Sequence, residues 1–424
     1  MLLVQNIRDH FNEVAEALKK RNIDGKEILE QIVRLDDERK QHQRILNEYQ
    51  SQMNNLAKEI GQLFAQGKKE EAEQKKKTTQ TLKEEAKKTE LLMQQSEDSL
   101  RAELIKIPNT PHTSVPAGKT PEENQVIKEW GTKPALSNPL PHWDLASQYS
   151  IIDFELGVKL TGAGFPVYLG AGAKLQRALI SFFLDENIKA GYLEVLPPFM
   201  VNEESGFGTG QLPDKEGQMY HMQLDNYYMV PTAEVPVTNI YRNVILKEKE
   251  LPVKLTAYTP CFRREAGSYG KDVRGLNRVH QFDKVEIVQI AHPGKSYLYL
   301  EEMVAHVEML LQKLELHYRV IKLCGGDMGF ASAITYDLEV WAGGQNRWLE
   351  CSSVSNFETF QSNRLKLRFK ANNNKTYLAH TLNGSSLALP RIVAALLENN
   401  QTTDGIVLPK VLHTYCGIEK ISLP

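Results

Sequence analysis

The chain has 424 residues, enough for two or three domains with a sizeable core, and its 41% hydrophobic and 25% charged residues are ordinary for a globular protein. No apolar run approaches the roughly 20 residues a membrane helix needs, and residues 1–9 turn polar too early for a signal peptide, so cytoplasmic residence and no membrane partner are expected. A net charge of −2 gives no global case for nucleic acid, and Cys261, Cys324, Cys351 and Cys416 form no Cys-x-x-Cys pair, so no zinc is expected.

Residues 1 to about 110 are rich in Lys, Glu and Gln and almost free of Gly and Pro. From Ile28 onward, steps of four and three pick out Ile28, Ile32, Leu35, Arg39, His42, Leu46, Tyr49, Met53, Leu56, Ile60 and Leu63. That is a heptad seam with two polar interruptions, Arg39 and His42. It stops at Ala65-Gln66-Gly67-Lys68, where Gly67 suits a helix end. A smaller, more polar seam follows through Ala72, Thr79, Leu82, Ala86, Thr89, Met93, Ser96 and Leu100. Two helices of similar length joined by a short turn predict an antiparallel coiled-coil arm over about 28–104, projecting roughly 50 Å. Prolines 108, 111, 116, 121, 134, 139 and 141 then mark a connector, which places the domain boundary near residue 110 and a second domain over 111–424.

In that second region, residues 172–190 read as a helix whose apolar face is Leu175, Leu179, Phe182, Phe183 and Ile188. Residues 254–263 and 277–291 read as strands around a polar, Gly-rich loop over 264–275. A hairpin is expected from 335–341 and 347–354, and a closing helix over 390–399. Strand pairs joined by loops predict an α+β fold with an antiparallel sheet flanked by helices. Gly118-Lys119-Thr120 lacks the upstream glycine of a phosphate-binding loop, and Gly170-x-Gly172 is followed by Leu175 rather than the third glycine of a dinucleotide turn. Any nucleotide here must be held in another way.

At the end of the first strand, Arg263 and Glu265 share a face by period two, as do Phe282 and Glu286 on the next. Paired across the loop, they offer a guanidinium, two carboxylates and a ring on which an adenine could stack. Taken alone, the same residues suit a surface salt bridge beside a core phenylalanine. Glu350, opening Glu350-Cys351-Ser352-Ser353, suits Mg²⁺ bridging phosphates, or equally a solvated edge carboxylate. Thr381-Leu382-Asn383-Gly384-Ser385-Ser386 precedes a helix that carries Arg391, a place where backbone and positive charge can approach an anion.

In their order, these residues resemble the signature motifs of the class II aminoacyl-tRNA synthetases, and of the seryl-tRNA synthetase family among them, over essentially the whole chain. The resemblance rests on Thr232-Ala233-Glu234, Phe262-Arg263-Arg264-Glu265-Ala266-Gly267, His280-Gln281-Phe282-Asp283-Lys284-Val285-Glu286, Glu350-Cys351-Ser352-Ser353-Val354-Ser355-Asn356 and Thr381-Leu382-Asn383-Gly384-Ser385, with the N-terminal hairpin. It implies activation of L-serine by ATP to seryl-adenylate and transfer to a serine tRNA, with Mg²⁺ held with ATP. Arg263, Glu350 and Arg391 would be catalytic. Thr232, Ala233, Glu234, Arg263, Glu286, Asn383 and Ser385 would form the serine pocket. Arg263, Arg264, Glu265, Phe282, Glu350, Cys351, Ser352, Ser353 and Arg391 would bind ATP, with Glu350 and Ser353 organising the Mg²⁺. The resemblance also implies a homodimer whose arm grips tRNA. Lys68, Lys69, Lys75, Lys76, Lys77, Lys87 and Lys88 suit phosphate contacts, although acids are about as numerous there. Ser386 and Pro390 stand where the family commonly has glycines, and residues 411–416 diverge. Two other readings share the catalytic motifs. A ligase that loads a carrier protein would lack the long hairpin, and a non-catalytic interaction paralogue would have lost Arg263, Glu350 or Arg391.

Overall fold

The structure, a computed structural model, describes residues 1–214, 216–265 and 274–423. Residues 266–273, most of the expected Gly-rich loop with Ala266 and Gly267, lie outside the described residues. The chain divides into two compact units, one of Met1–Lys19 and Ile23–Pro108, the other of Lys20–Asn22 and Asn109–Pro424.

The first unit holds helices α1 (Val4–Asp9), α2 (Phe11–Lys19), α3 (Lys26–Ala65) and α4 (Lys69–Leu104). The 40 residues of α3 make a rod about 60 Å long at 1.5 Å per residue. Along α3 and α4 the seam residues are the covered ones, and its polar interruptions have partners. His42 Nδ1 meets Ser96 Oγ across the hairpin at 3.2 Å, and Arg39 bonds Asp36 at 2.8 Å. At the base of α3, Leu29 and Asp36 are buried where the heptad predicts Ile28 and Leu35, which are half-buried. There α3 packs on α1 and α2 as well as on α4, so a second stripe beside the seam is covered. Burial alone would raise the Asp36 carboxyl, but hydrogen bonds from Lys40, Arg39 and Arg8 outweigh it and hold the group below the usual carboxylate range.

The second unit is built on eight strands. These are β1 (Gln125–Trp130), β2 (Leu193–Glu194), β3 (Val253–Phe262), β4 (Gln281–Ala291), β5 (Tyr318–Lys322), β6 (Ile334–Ala342), β7 (Arg347–Asn356) and β8 (His380–Ala388). Their spatial order is β1-β5-β6-β7-β8-β4-β3-β2, antiparallel throughout except for the short parallel pair β2–β3 at one edge. The helices used below are α5 (His142–Gln148), α6 (Gly170–Lys189), α7 (Glu203–Thr209), α8 (Glu234–Asn239), α9 (Ser296–Lys313), α10 (Thr359–Leu365) and α11 (Leu389–Asn399). One sheet face is the main core. Leu179 and Phe182 of α6, Leu300 and Val307 of α9, and Ile392 and Leu396 of α11 pack there on Val285, Ile287, Leu338 and Leu382. On the opposite face, Val237 of α8 and Ala233 just before it pack against Leu255, Ala257 and Val288.

Two expectations need correction. Ile188 is 44% exposed, because at 100° per residue it falls opposite the Leu175–Phe182 stripe, whereas Glu186 and Asn187 are turned inward and buried. Residues 277–280 are not strand, since the His280 N–H goes to Gly164 O and leaves the ladder to begin at Gln281.

Candidate active site

Period two along β4 puts Phe282, Lys284 and Glu286 on the face opposite the main core. Register then sets Glu286 beside Ser385 of β8, Val288 beside Asn383, and Asp337 of β6 beside Ser353 of β7. Two β-bulges fall at this level. One adds a residue to β8 between Ser385 and Ala388, and the other makes Cys351 the extra residue of β7. Bulges of this kind re-aim side chains next to functional sites. Here Cys351 turns into the core, with its Sγ 3.3 Å from Leu338 O, and burial pushes its thiol well up.

At the inner end lies a buried polar pocket. Lys284 Nζ meets Glu286 Oε2 at 2.7 Å and donates to Thr232 Oγ1 at 2.8 Å. Thr232 Oγ1 is 3.4 Å from Glu286 Oε2 and accepts from the Glu234 N–H at 3.3 Å, which fixes the first turn of α8. Glu234 Oε1 accepts from Gln361 Nε2 of α10 at 2.6 Å, and Asn383 is a second partner of the same carboxyl. Burial first, then the charge of Glu286, push Glu234 up to about 7. Ala233 is core through its methyl group, so it offers the pocket only backbone. Ser385 is buried beside Glu286, and its carbonyl accepts from Ser352 Oγ at 2.6 Å.

At the outer end, Arg263 follows β3, with its guanidinium 5.3 Å from the Phe282 ring and its Nε donating to Pro231 O at 3.3 Å. Glu265 pairs with Arg278 at 3.1 Å, and the Arg264 side chain is exposed. Arg391, on the first turn of α11, reaches Glu350 O at 2.6 Å and the Glu350 carboxylate at 3.4 Å, and its Nε donates to Asn277 O at 3.3 Å. Behind Glu350 and Ser353 lies Asp337, 8% exposed, hydrogen-bonded to Ser353, with its Oδ1 unpartnered among the described residues. Burial first, then the Glu350 charge, raise its carboxyl well above the usual range.

The structure therefore brings most of the sequence-predicted residues together in two groups, a buried pocket and a more open rim, whereas the Cys351 and Ser352 side chains are turned away from both. Its departures from the expected glycines also acquire uses. Ser386 Oγ donates to Asn187 Oδ1 at 2.8 Å, and Pro390 sits in the first turn of α11, where a helix does not need its N–H. Sequence reasoning assigned no role to Lys284, Gln361 or Asp337. Lys284 had a signal, since it is two residues from Glu286 on one strand. Gln361 had none.

A model of the family described as "Seryl-tRNA synthetase N-terminal domain" matches residues 1–111, and one described as "tRNA synthetase class II core domain (G, H, P, S and T)" matches residues 220–400. The chain is 47% identical to a "Serine--tRNA ligase" of Salinibacter ruber, over 99% of each chain. It is 45% identical to another of Akkermansia muciniphila, again over 99% of each. Its fold matches a crystal structure of seryl-tRNA synthetase from Pyrococcus horikoshii complexed with ATP, with a TM-score of 0.93, 32% identity and 100% coverage of both chains.

Proposed function

The chain belongs to the seryl-tRNA synthetase family, and from that premise we propose how its residues divide the work. It is a class II aminoacyl-tRNA synthetase, a serine–tRNA ligase driven by ATP. The observation that carries the assignment of residues is the sharing of one sheet face by two sites. The Thr232–Lys284–Glu286–Glu234 pocket takes serine, and the Arg263–Phe282–Arg391–Glu350 rim takes ATP.

Bound there, the serine carboxylate lies in line with the α-phosphorus. An oxygen–phosphorus bond forms as the bond to the β-phosphate breaks, and pyrophosphate leaves with the electron pair. No protein nucleophile is needed, so catalysis is placement and charge neutralisation. Arg263 neutralises charge gathering on the α-phosphate. Phe282 stacks on one adenine face and Arg391 on the other, with Arg391 also near the γ-phosphate. Glu265 positions the adenine, Arg264 lies along the rim, and Cys351 and Ser352 contribute backbone, both side chains being turned away. Glu350 and Ser353, with Asp337 Oδ1, unpartnered among the described residues, behind them, are hard oxygen donors of the kind Mg²⁺ prefers. When bound with ATP, that ion supplies charge neutralisation for the phosphates. A ribose hydroxyl of the tRNA then attacks the adenylate carbonyl, and AMP leaves.

The serine hydroxyl is read by buried polar groups, so alanine, which leaves them unpaired, is activated about 10⁴-fold less well. The arm's exposed lysines contact tRNA phosphates. Ile188, Leu193, Leu196, Phe199 and Met200 are exposed within one stretch of 13 residues, which suits burial in a homodimer. No helix among the described residues is long and apolar enough to cross a membrane. Charging tRNA for translation places the enzyme in the cytoplasm.

The test is pyrophosphate exchange into ATP, run with each of the twenty amino acids and no tRNA. Exchange with serine alone is expected. Exchange with another amino acid would reassign the pocket, and none at all would remove catalysis.

A further inference from the structure

The buried pocket holds two carboxylates and one cation. Lys284 neutralises Glu286 at 2.7 Å, and both are buried. Glu234, 7% exposed, is in no ion pair among the described residues. The partners of its carboxyl are neutral amides, Gln361 and Asn383. The Gln361 amide is locked in orientation, because its Oε1 accepts from Thr381 Oγ1 at 2.7 Å while its Nε2 also donates to Thr209 O at 3.0 Å. It therefore presents N–H, and only N–H, to Glu234.

Among the described residues, the charged and titratable groups around Glu234 are few. Glu286 and Lys284 face it from β4, Cys261 and Arg263 lie at the end of β3, Arg364 is on α10, and Glu204 is at the solvent end of α7. Of these, Glu286 opposes ionisation of Glu234 and Lys284 favours it, and Lys284 is already engaged. Among the described residues, one buried negative charge is left without a counter-ion. Such a charge is relieved by a proton or by an arriving cation. The substrate carries an ammonium.

Resting on the reading of this pocket as the serine site, we propose that serine binding expels one proton from Glu234, and that Gln361 is a positioning residue for that carboxylate. The balance is simple. The O–H bond of the Glu234 carboxyl breaks, the proton goes to solvent, and the carboxylate left behind faces the ammonium, which keeps its three hydrogens.

The experiment is the pH profile of pyrophosphate exchange, from 5.5 to 8.5 at saturating ATP. The logarithm of kcat/KM for serine is expected to rise with unit slope below about pH 7 and to level above it, with kcat at saturating serine flat throughout. Gln361→Ala removes a hydrogen bond that favours the ionised form, so its inflection moves up by about one pH unit. A merely structural role would lower kcat and leave the inflection in place. If Gln361→Ala does not fold, Thr381→Val, which only unlocks the amide, moves the inflection the same way by less. Glu234→Gln, which has no proton to lose, flattens the profile at a raised KM for serine. A wild-type profile for serine that is flat, with full exchange at pH 8.5, would overturn the proposal and leave the serine site standing. Failure of exchange with serine at every pH would instead remove the reading beneath it.

Discussion

Lys284 is a cation placed where cations are rarely tolerated, and Glu286 and Thr232 are the reason it stays. Replacing it by the similar-sized methionine leaves Glu286 buried without its partner. Breaking a buried pair from one side costs about 3–5 kcal/mol. Denaturant unfolding of Lys284→Met should show a loss of that order together with a raised KM for serine. A variant as stable as the parent would mean that Glu286 does not depend on the lysine. Arg263→Ala acts on the reaction instead. Among the described residues its guanidinium bonds only a carbonyl beyond its stacking on Phe282, so the fold should persist while kcat for exchange falls about 10²–10³-fold. Near-normal exchange would move the α-phosphate contact elsewhere. Arg263, Phe282 and Glu286 were legible in sequence because period two and motif order both mark them. Gln361 was not, because it reaches Glu234 from a helix more than a hundred residues away, through tertiary packing that no local pattern encodes.

Elements decide how these side chains are aimed. The strand and helix positions followed from alternation and heptad spacing, but the two bulges, at Cys351 and beside Ser386, leave no compositional mark, and the one at Cys351 decides which of Glu350, Cys351, Ser352 and Ser353 share a sheet face with Asp337. The inward turn of Glu186 was equally hidden, since an ion pair with Lys189 at 2.7 Å and another with Lys313 make a buried glutamate tolerable. A further tie joins elements across the site. His142 of α5 meets Glu398 of α11 at 2.7 Å, both fully buried, and its Nε2 accepts from the Leu276 N–H at 2.8 Å. Glu398 is also held by Gln345, which bonds Asn277, while Arg391 bonds the Asn277 carbonyl. The segment leaving the Gly-rich loop is thus fastened to the helix that carries Arg391. His142→Ala should cost about 1–3 kcal/mol of stability and raise the KM for ATP several-fold, with the KM for serine changed less. Equal changes in both would show that the tie serves the fold as a whole.

At the scale of the molecule, the chain divides into a helical unit and a catalytic unit, which makes their tasks separable by mutation. The exposed apolar stretch offers one test. Leu193→Asp with Leu196→Asp, at side chains 66% and 78% exposed, should convert a dimer to a monomer in sedimentation without lowering the solubility of the fold. A parent chain that sediments as a monomer would refute the dimer directly. The arm offers the other. Lys68, Lys75, Lys76 and Lys88 sit in exposed ion pairs with Glu71, Glu59, Glu73 and Glu85. Such pairs are worth roughly 0–1 kcal/mol each, so they give way readily to phosphate. Excising residues 50–86 and joining the ends by a short turn removes Lys68, Lys69 and Lys75–Lys77 but keeps the His42–Ser96 contact and the base packed on α1 and α2. Exchange of pyrophosphate needs no tRNA and should stay within about twofold of the parent. Aminoacylation should fall at least tenfold, on the order of what losing two or three phosphate contacts removes, and the residual activity should depend less steeply on salt. If the shortened enzyme charges tRNA as well as the parent, and with the same salt dependence, the lysines of the distal arm are a solvated face and tRNA is gripped elsewhere.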